Sequence, residues 1–327
     1  MRIGVTICLS LATAAVCAGE MTVVQPLRVA HTYSIVAYDS ATGEFGAAVQ
    51  SHYFRVADVI WAEAGVGVVA TQSLVDFSYG PLGLAMMRNG KSAAQALAGL
   101  LASDQSSAVR QVAMIDRLGN VAAHTGTRCI PEAGNRTGKN YSVQANLMLK
   151  NTVWDAMAKA FEAATGDLSE RMMAALEAAQ GEGGDIRGMQ SAAILVVTGK
   201  PTGQVWRDRL IDLRVDDSPQ PLVELRRLLN IQRAYRHEDR GDDLTAAGKM
   251  VEAEVEYEQA SRLAPDNVEL KFWHAVTLAT NKQLDKALPI FKEVFKADES
   301  WRTLVPRLVT SDLLPNDEQM IQAIVKQ

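Results

Sequence analysis

Residues 31–73, HTYSIVAYDSATGEFGAAVQSHYFRVADVIWAEAGVGVVATQS, read as three consecutive strands with two turns between them, and the rest of the chain is read outward from that sheet. The first strand, Thr32 to Tyr38, is β-branched and aromatic, and it stops at Asp39-Ser40-Ala41-Thr42-Gly43, a cluster that marks a hairpin. The return strand is Phe45 to Gln50, and the third is Gly65 to Gln72. Between them, Ser51 to Ala62 reads as a loop or short helix carrying His52, Tyr53, Arg55, Asp58 and Trp61. Tyr33, Ile35 and Ala37 point one way along the first strand, and Val36 and Tyr38 the other. Both sets are apolar or small, which predicts a sheet covered on both faces.

Downstream, Pro81 to Arg88 and Ser92 to Ala102 read as helices, the first opening on a proline and ending at Asn89-Gly90. Strands at Val109 to Ile115 and Val121 to Thr125 flank the turn signal Asp116-Arg117-Leu118-Gly119-Asn120. The glycine-rich stretch TGTRCIPEAGNRTGKN reads as a loop, followed by a strand from Tyr141 to Met148. Helices at Thr152 to Ala164 and Leu168 to Gln180, strands at Ser191 to Thr198 and Arg209 to Val215, and a helix capped by Asp217-Ser218-Pro219 and running to about Tyr235 complete the unit. This order predicts an α/β (α+β) architecture with helices packed outside sheets.

With 327 residues, 48% of them hydrophobic and 22% charged, the chain is long enough for about two globular domains. Its net charge of -5 supplies no basic field for a polyanion, so nucleic acid is not an expected partner. The first 18 residues, MRIGVTICLSLATAAVCA, have the basic start, apolar run and small-residue end of a secretory signal. The expectation is a secreted or periplasmic protein, with residues 19–31 as a leader segment and no membrane span once the signal is removed. Cys8 and Cys17 would leave with that signal. Cys129 then has no internal disulfide partner and is expected to be buried.

From about residue 237 the composition shifts to helix formers without strand runs. Tyr257-Glu258-Gln259-Ala260 and Phe291-Lys292-Glu293-Val294 align at an offset of 34 residues, the period of a tetratricopeptide repeat. Residues 239–270 hold nine acids against three bases, whereas 271–302 hold six bases against four acids. That asymmetry suits either a head-to-tail contact or an ordinary solvated surface. The organisation expected is therefore a sandwich domain over 32–236 and helical repeats over 237–327.

Six blocks, TYSIVAYDSATGEFGAAVQS, GVGVVATQSLVDFSYGPLGL, AAHTGTRC, YSVQANLM, GMQSAAILVV and DLRVDDSPQPLVELRRLL, together resemble the domain-of-unknown-function family 1028 across residues 32–236. That family is similar to the N-terminal-nucleophile hydrolases, and the resemblance implies a four-layer αββα sandwich. It also implies a nucleophile at the start of the first strand, where Thr32 stands. In such chemistry the nucleophile's own free α-amine accepts the hydroxyl proton, since an α-amine titrates near ~7.7–8.0 and an amide nitrogen does not. Here residues 19–31 would remain attached after signal removal, so a second cut between His31 and Thr32 is required.

Four further residues are candidates to support Thr32. His52 and His124 could transfer protons near a strand end, and Gln72 and Asn146 could hold an oxyanion or substrate carbonyl. Gln144 and Thr71 are drawn from the same strand ends. His124 and Cys129 stand close enough in sequence for a thiol–imidazole pair, with a satisfied histidine and a buried cysteine as the alternative. No cofactor or metal is expected: GEGGD lacks the lysine of a phosphate-binding loop, and no metal-ligand spacing occurs. The functional expectation is an amide-bond hydrolase acting on a small amide or peptide. Its alternative is a non-catalytic binding or self-assembling protein that uses residues 237–327 for a protein partner or for forming a homo-oligomer.

Overall fold

The computed structural model describes the backbone of residues 28–30 and the whole of residues 32–327. The expected signal segment and most of the leader lie outside the described residues. In chain order the strands are β1 (Arg28–Ala30), β2 (Thr32–Tyr38), β3 (Phe45–Ser51), β4 (Ile60–Glu63), β5 (Gly67–Val75), β6 (Arg110–Asp116), β7 (Val121–Thr125), β8 (Gly134–Gly138), β9 (Tyr141–Ala145), β10 (Ser191–Val197) and β11 (Arg209–Val215). The helices are α1 (Tyr79–Arg88), α2 (Ala93–Ser103), α3 (Val153–Ala163), α4 (Leu168–Gly181), the single turn α5 (Val205–Asp208), and α6 (Pro221–Ala246). They continue with α7 (Met250–Leu263), α8 (Val268–Thr280), α9 (Leu284–Ala297), α10 (Ser300–Thr310) and α11 (Glu318–Val325).

Two antiparallel sheets result. One has six strands in the order β11-β10-β3-β2-β9-β8; the other runs β1-β5-β6-β7 with β4 also on β5. The β2–β3 hairpin forms where Asp39 folds its carboxylate back onto the Ala41 amide at 2.8 Å while Gly43 turns at φ 81°. Along β2, Tyr33, Ile35 and Ala37 enter a core shared with α3, α4 and α6, whereas Val36 enters a core between the two sheets. The sheet is thus covered on both faces, as its sequence predicts. A third core joins α1 and α2 to the outer face of β5 and β6. Packing therefore runs helices, sheet, sheet, helices.

The helices seat themselves by apolar spacing and local caps. Val153, Met157 and Phe161 of α3 recur at i, i+4 and i+8 on its buried face. Ser92 and Gln95 form a reciprocal capping box at the start of α2. Asp167 caps α4 by accepting from Glu170 N at 2.9 Å.

Three local expectations are corrected. Ser51 to Ala62 contains a 3-10 turn, Val56–Val59, and then β4, which pairs with β5. The glycine-rich stretch holds β8, whose GNRTG residues pair with β9 at the sheet edge. Asp217-Ser218-Pro219 does not cap α6: the helix begins at Pro221 behind Gln220, with no side-chain cap.

The boundary expected at 236/237 falls inside α6, a continuous 26-residue helix. The helical C-terminal region is repeat-like: α7 begins at Met250 and α9 at Leu284, which keeps the 34-residue spacing. Its core gathers Phe272, Phe291, Phe295, Val305 and Ile324.

At Gly67, φ is 152° and a Cβ would stand 2.2 Å from the Ile115 carbonyl oxygen. Backbone cannot yield as a flexible side-chain tip can. Gly67→Ala is expected to cost roughly 3 kcal/mol, read as a lowered midpoint in urea.

Candidate functional site

Along β2, β5, β6 and β9 the inter-sheet face is apolar at one end and polar at the other. Ser34 and Thr32 follow Val36 on that face of β2, Gln72 follows Val68 and Ala70 on β5, and Ser142, Gln144 and Asn146 share it on and just after β9. Gln111, on β6, is set by register directly opposite Gln72. All of these side chains are buried.

Their hydrogen bonds run in one direction through both sheets. Ser142 donates to Gln144 Oε1 at 2.9 Å, Gln144 Nε2 to Ser34 at 2.6 Å, and Ser34 to Gln72 Oε1 at 2.7 Å. Gln72 Nε2 then donates to Gln111 Oε1 at 2.7 Å, Gln111 Nε2 to Thr125 Oγ1 at 2.9 Å, and Thr125 to Asn135 Oδ1 at 2.8 Å. Each link polarises the next in a buried, low-dielectric setting, so the chain is worth more than its separate bonds.

This network grips the first residue of β2. The Thr32 carbonyl oxygen accepts from Gln72 Nε2 at 3.0 Å, from the Asn146 backbone N–H at 3.2 Å and from Asn146 Nδ2 at 3.4 Å. Asn146 Nδ2 also donates to Gln111 Oε1 at 2.9 Å. The amide donors of Gln72 and Asn146 are thus both committed to the Thr32 carbonyl and to Gln111 Oε1. In this arrangement both side-chain amides hold the threonine backbone.

Of the five sequence candidates, Thr32, Gln72 and Asn146 meet here; the two histidines do not. His52 follows Ser51, which is opposite Thr32 in the β2–β3 register, but its side chain is exposed and its backbone N–H goes to Asp185 Oδ2 at 3.3 Å. His124 alternates with Thr125 on β7 and so faces away from the network; its Nε2 is 2.9 Å from the Ser107 carbonyl oxygen. Gln111, Ser34 and Asn135 belong to the network and went unread in the sequence. The signal available was one glutamine beside the apolar VAMI run of the RQVAMID strand.

Flanking groups are neutral or paired. Cys129 is buried, its Sγ 3.4 Å from the Arg110 carbonyl oxygen, and burial pushes the thiol up. Cys129 and His124 therefore each have their own backbone partner and form no thiol–imidazole pair. Arg110 Nε donates to Asp104 at 2.7 Å. Burial raises Asp104, but the Arg110 bond and the Ser106 amide prevail and hold its carboxyl below the ordinary range. Tyr33 is pushed well up by burial and by nearby Asp185, so its hydroxyl stays protonated and donates to Gln180 Oε1 at 3.0 Å.

The leader reaches the same end of the sandwich. β1 pairs with β5 at Ala30↔Ser73 and Arg28↔Val75, so the chain crosses from one sheet to the other between Ala30 and Thr32. Ser73 itself takes φ 73°, an uncommon conformation for a serine.

A family described as "Family of unknown function (DUF1028)" matches residues 32–225, beginning at the threonine that the network holds. The chain belongs to DUF1028. A second DUF1028 structure is similar: protein SPO2555 from Silicibacter pomeroyi, 32% identical, with a TM-score of 0.55, over 61% of this chain and 88% of that one. No curated protein matches. The DUF1028 match spans β2 to the first turn of α6 and so takes in every member of the network.

Proposed function

We propose that the sandwich is of the N-terminal-nucleophile hydrolase type and that the protein is an exported amide hydrolase, acting on a small amide or peptide with Thr32 as nucleophile. One observation carries this reading: three donors converge on the carbonyl of the first β2 residue. A structural threonine at a strand start needs no such anchorage, whereas a reacting residue gains from being held. None of Gln72, Gln111, Gln144 and Asn146 ionises, so the base this chemistry needs is the threonine's own amine. In the peptide bond to His31 that nitrogen is an amide, and the reading therefore requires a cut between His31 and Thr32. Gln72, Gln111 and Asn146 act as positioning residues.

The test is intact mass and terminal sequencing of the protein exported by its own host. A mature chain beginning at Thr32 is the expected result. One beginning near Gly19 would sink the hydrolase reading.

The complete burial of Thr32 in the uncut chain favours a second reading, a binding protein that uses its helical region as the contact surface. On this reading α7 to α10 are tetratricopeptide-like and meet a protein partner or a second copy. Removing residues 250–327, which leaves α6 whole, is expected to reduce the oligomeric mass by more than the deleted segment in light scattering. An unchanged oligomer number counts against self-association there.

A further inference from the structure

A cavity of about 240 Å³ lies among α6, α7, α8 and α9 in the helical region. Glu238 of α6 lines it, only 5% exposed, and its Oε1 has no hydrogen-bond partner. His274 of α8 also lines it, and its Nε2 is buried and likewise unpartnered. A buried polar atom without a partner is costly, and two around one cavity call for an occupant. Tyr257 of α7 also lines the cavity, stacked on His274 with ring centroids 3.8 Å apart. Its hydroxyl is already used by Asp242 at 2.9 Å and Thr245 at 3.0 Å, so the ring, not the hydroxyl, is what it offers.

The charges around the cavity decide what fits. The rim acids have partners: Glu258 with Arg262 at 3.1 Å, Glu254 with Lys286 at 3.9 Å, and Glu293 with Lys271. Glu238 has none, and Asp239 and Asp242 on its own helix add further negative charge beside it. An anion is thereby excluded. A metal ion fits no better, because no group of three or more His, Cys, Asp or Glu side chains among the described residues is placed to hold one. An ammonium group carries three donors and no acceptor, which complements a carboxylate oxygen and the lone pair of a neutral imidazole, and a cation is also attracted to a tyrosine face.

We propose that this cavity binds a primary alkylammonium group, from a lysine side chain of a peptide or from a free diamine, with Glu238 as its counter-ion. Next to the cavity, Val251 and Val255 of α7 are exposed, with Val251 at 83%. Residues flanking a lysine in a peptide would cover them; a diamine would not.

Burial, with Asp242 and Asp239, raises Glu238 to about 8, and burial, with Lys286, lowers His274 to about 4. Glu238 is then mostly protonated at pH 7, and an arriving ammonium expels its proton. Between its ordinary value of 4.5 and about 8 the unfolded chain has released a proton that the folded chain keeps, so stability falls as pH rises through that window. Glu238→Gln is expected to raise the melting temperature at pH 8 and to leave it unchanged near pH 4.

The decisive experiment is calorimetric titration of the full chain with 1,5-diaminopentane, with acetyl-Gly-Lys-Gly-amide, and with the norleucine analogue of that peptide. Expected are saturable binding of an amine probe, none of the norleucine peptide, and at least a tenfold loss in Glu238→Gln with circular dichroism unchanged. Tighter binding of the lysine peptide assigns a peptide source; binding of the diamine alone assigns a free amine. In the wild-type chain, titration in buffers of different ionisation enthalpy should show net proton release on binding at pH 7. No saturable binding, equal affinity in Glu238→Gln, or no proton release would each overturn the proposal.

Discussion

A chain trimmed to begin at Thr32 is expected to hydrolyse amides that the uncut chain leaves untouched, and Thr32→Ala in the trimmed chain is expected to lose about 10³-fold or more in kcat. The magnitude follows from what is removed. Without the hydroxyl there is no covalent intermediate, and the neighbouring amides of Gln72 and Asn146 are already engaged with the Thr32 carbonyl. A single glycine left in front of Thr32 should be almost as damaging, because it turns the amine back into an amide. The trimmed enzyme should also gain activity with rising pH through ~7.7–8.0, where the α-amine loses its proton and becomes a base. Retained turnover in Thr32→Ala, measured against a panel of small amides, would remove Thr32 from the mechanism.

Gln111→Ala is expected to destabilise the sandwich by about 3–5 kcal/mol in urea unfolding. The side chain accepts from Gln72 and Asn146 and donates to Thr125, to the Gly134 carbonyl at 3.1 Å and to the Ala145 carbonyl at 2.9 Å. Truncation strands these partners away from water and opens a void between the sheets. If the cost lies in stranded groups, Gln72→Leu combined with Gln111→Leu should cost clearly less than the sum of the two single changes, since each removes the other's orphan. A loss below 1 kcal/mol for Gln111→Ala would show that the network adds little to stability.

The two-faced sheet was legible because the pattern of β2 is a statement about both of its surroundings, and Tyr33 and Val36 duly enter different cores. β8 was hidden because Gly134–Gly138 has turn composition; its strand state is imposed from outside, by pairing with β9, while the Trp154 ring, 2.7 Å from where a Cβ of residue 134 would stand, accounts for the glycine there. Half of the candidate site could be read. Thr32, Gln72 and Asn146 lie at the ends of recognisable strands, but Gln111 becomes visible only when register sets it opposite Gln72. The placement of His124 had a signal that parity supplies: adjacent to Thr125 on a strand, it cannot share Thr125's face. At residue 236 the composition changes while helix propensity does not, so a shift that resembles a domain boundary lies within one helix.

That helix runs unbroken from the sandwich into the helical region. At 26 residues, α6 is a rod about 39 Å long. Near its start Arg226 reaches Glu170 at 2.6 Å and Glu177 at 2.9 Å, and Arg233 reaches Asp167 at 2.8 Å, fastening it to α4; one turn further on, Glu238 already lines the cavity of the helical region. No irregular linker lies between the two parts, because the passage between them is hydrogen-bonded helical backbone. A chain split at residue 236 would leave the sandwich the α6 residues that cover it, Leu222, Leu225 and Leu229, but would take from the repeats the helical wall that carries Glu238, so the cavity depends on a helix whose first half is rooted in the other part.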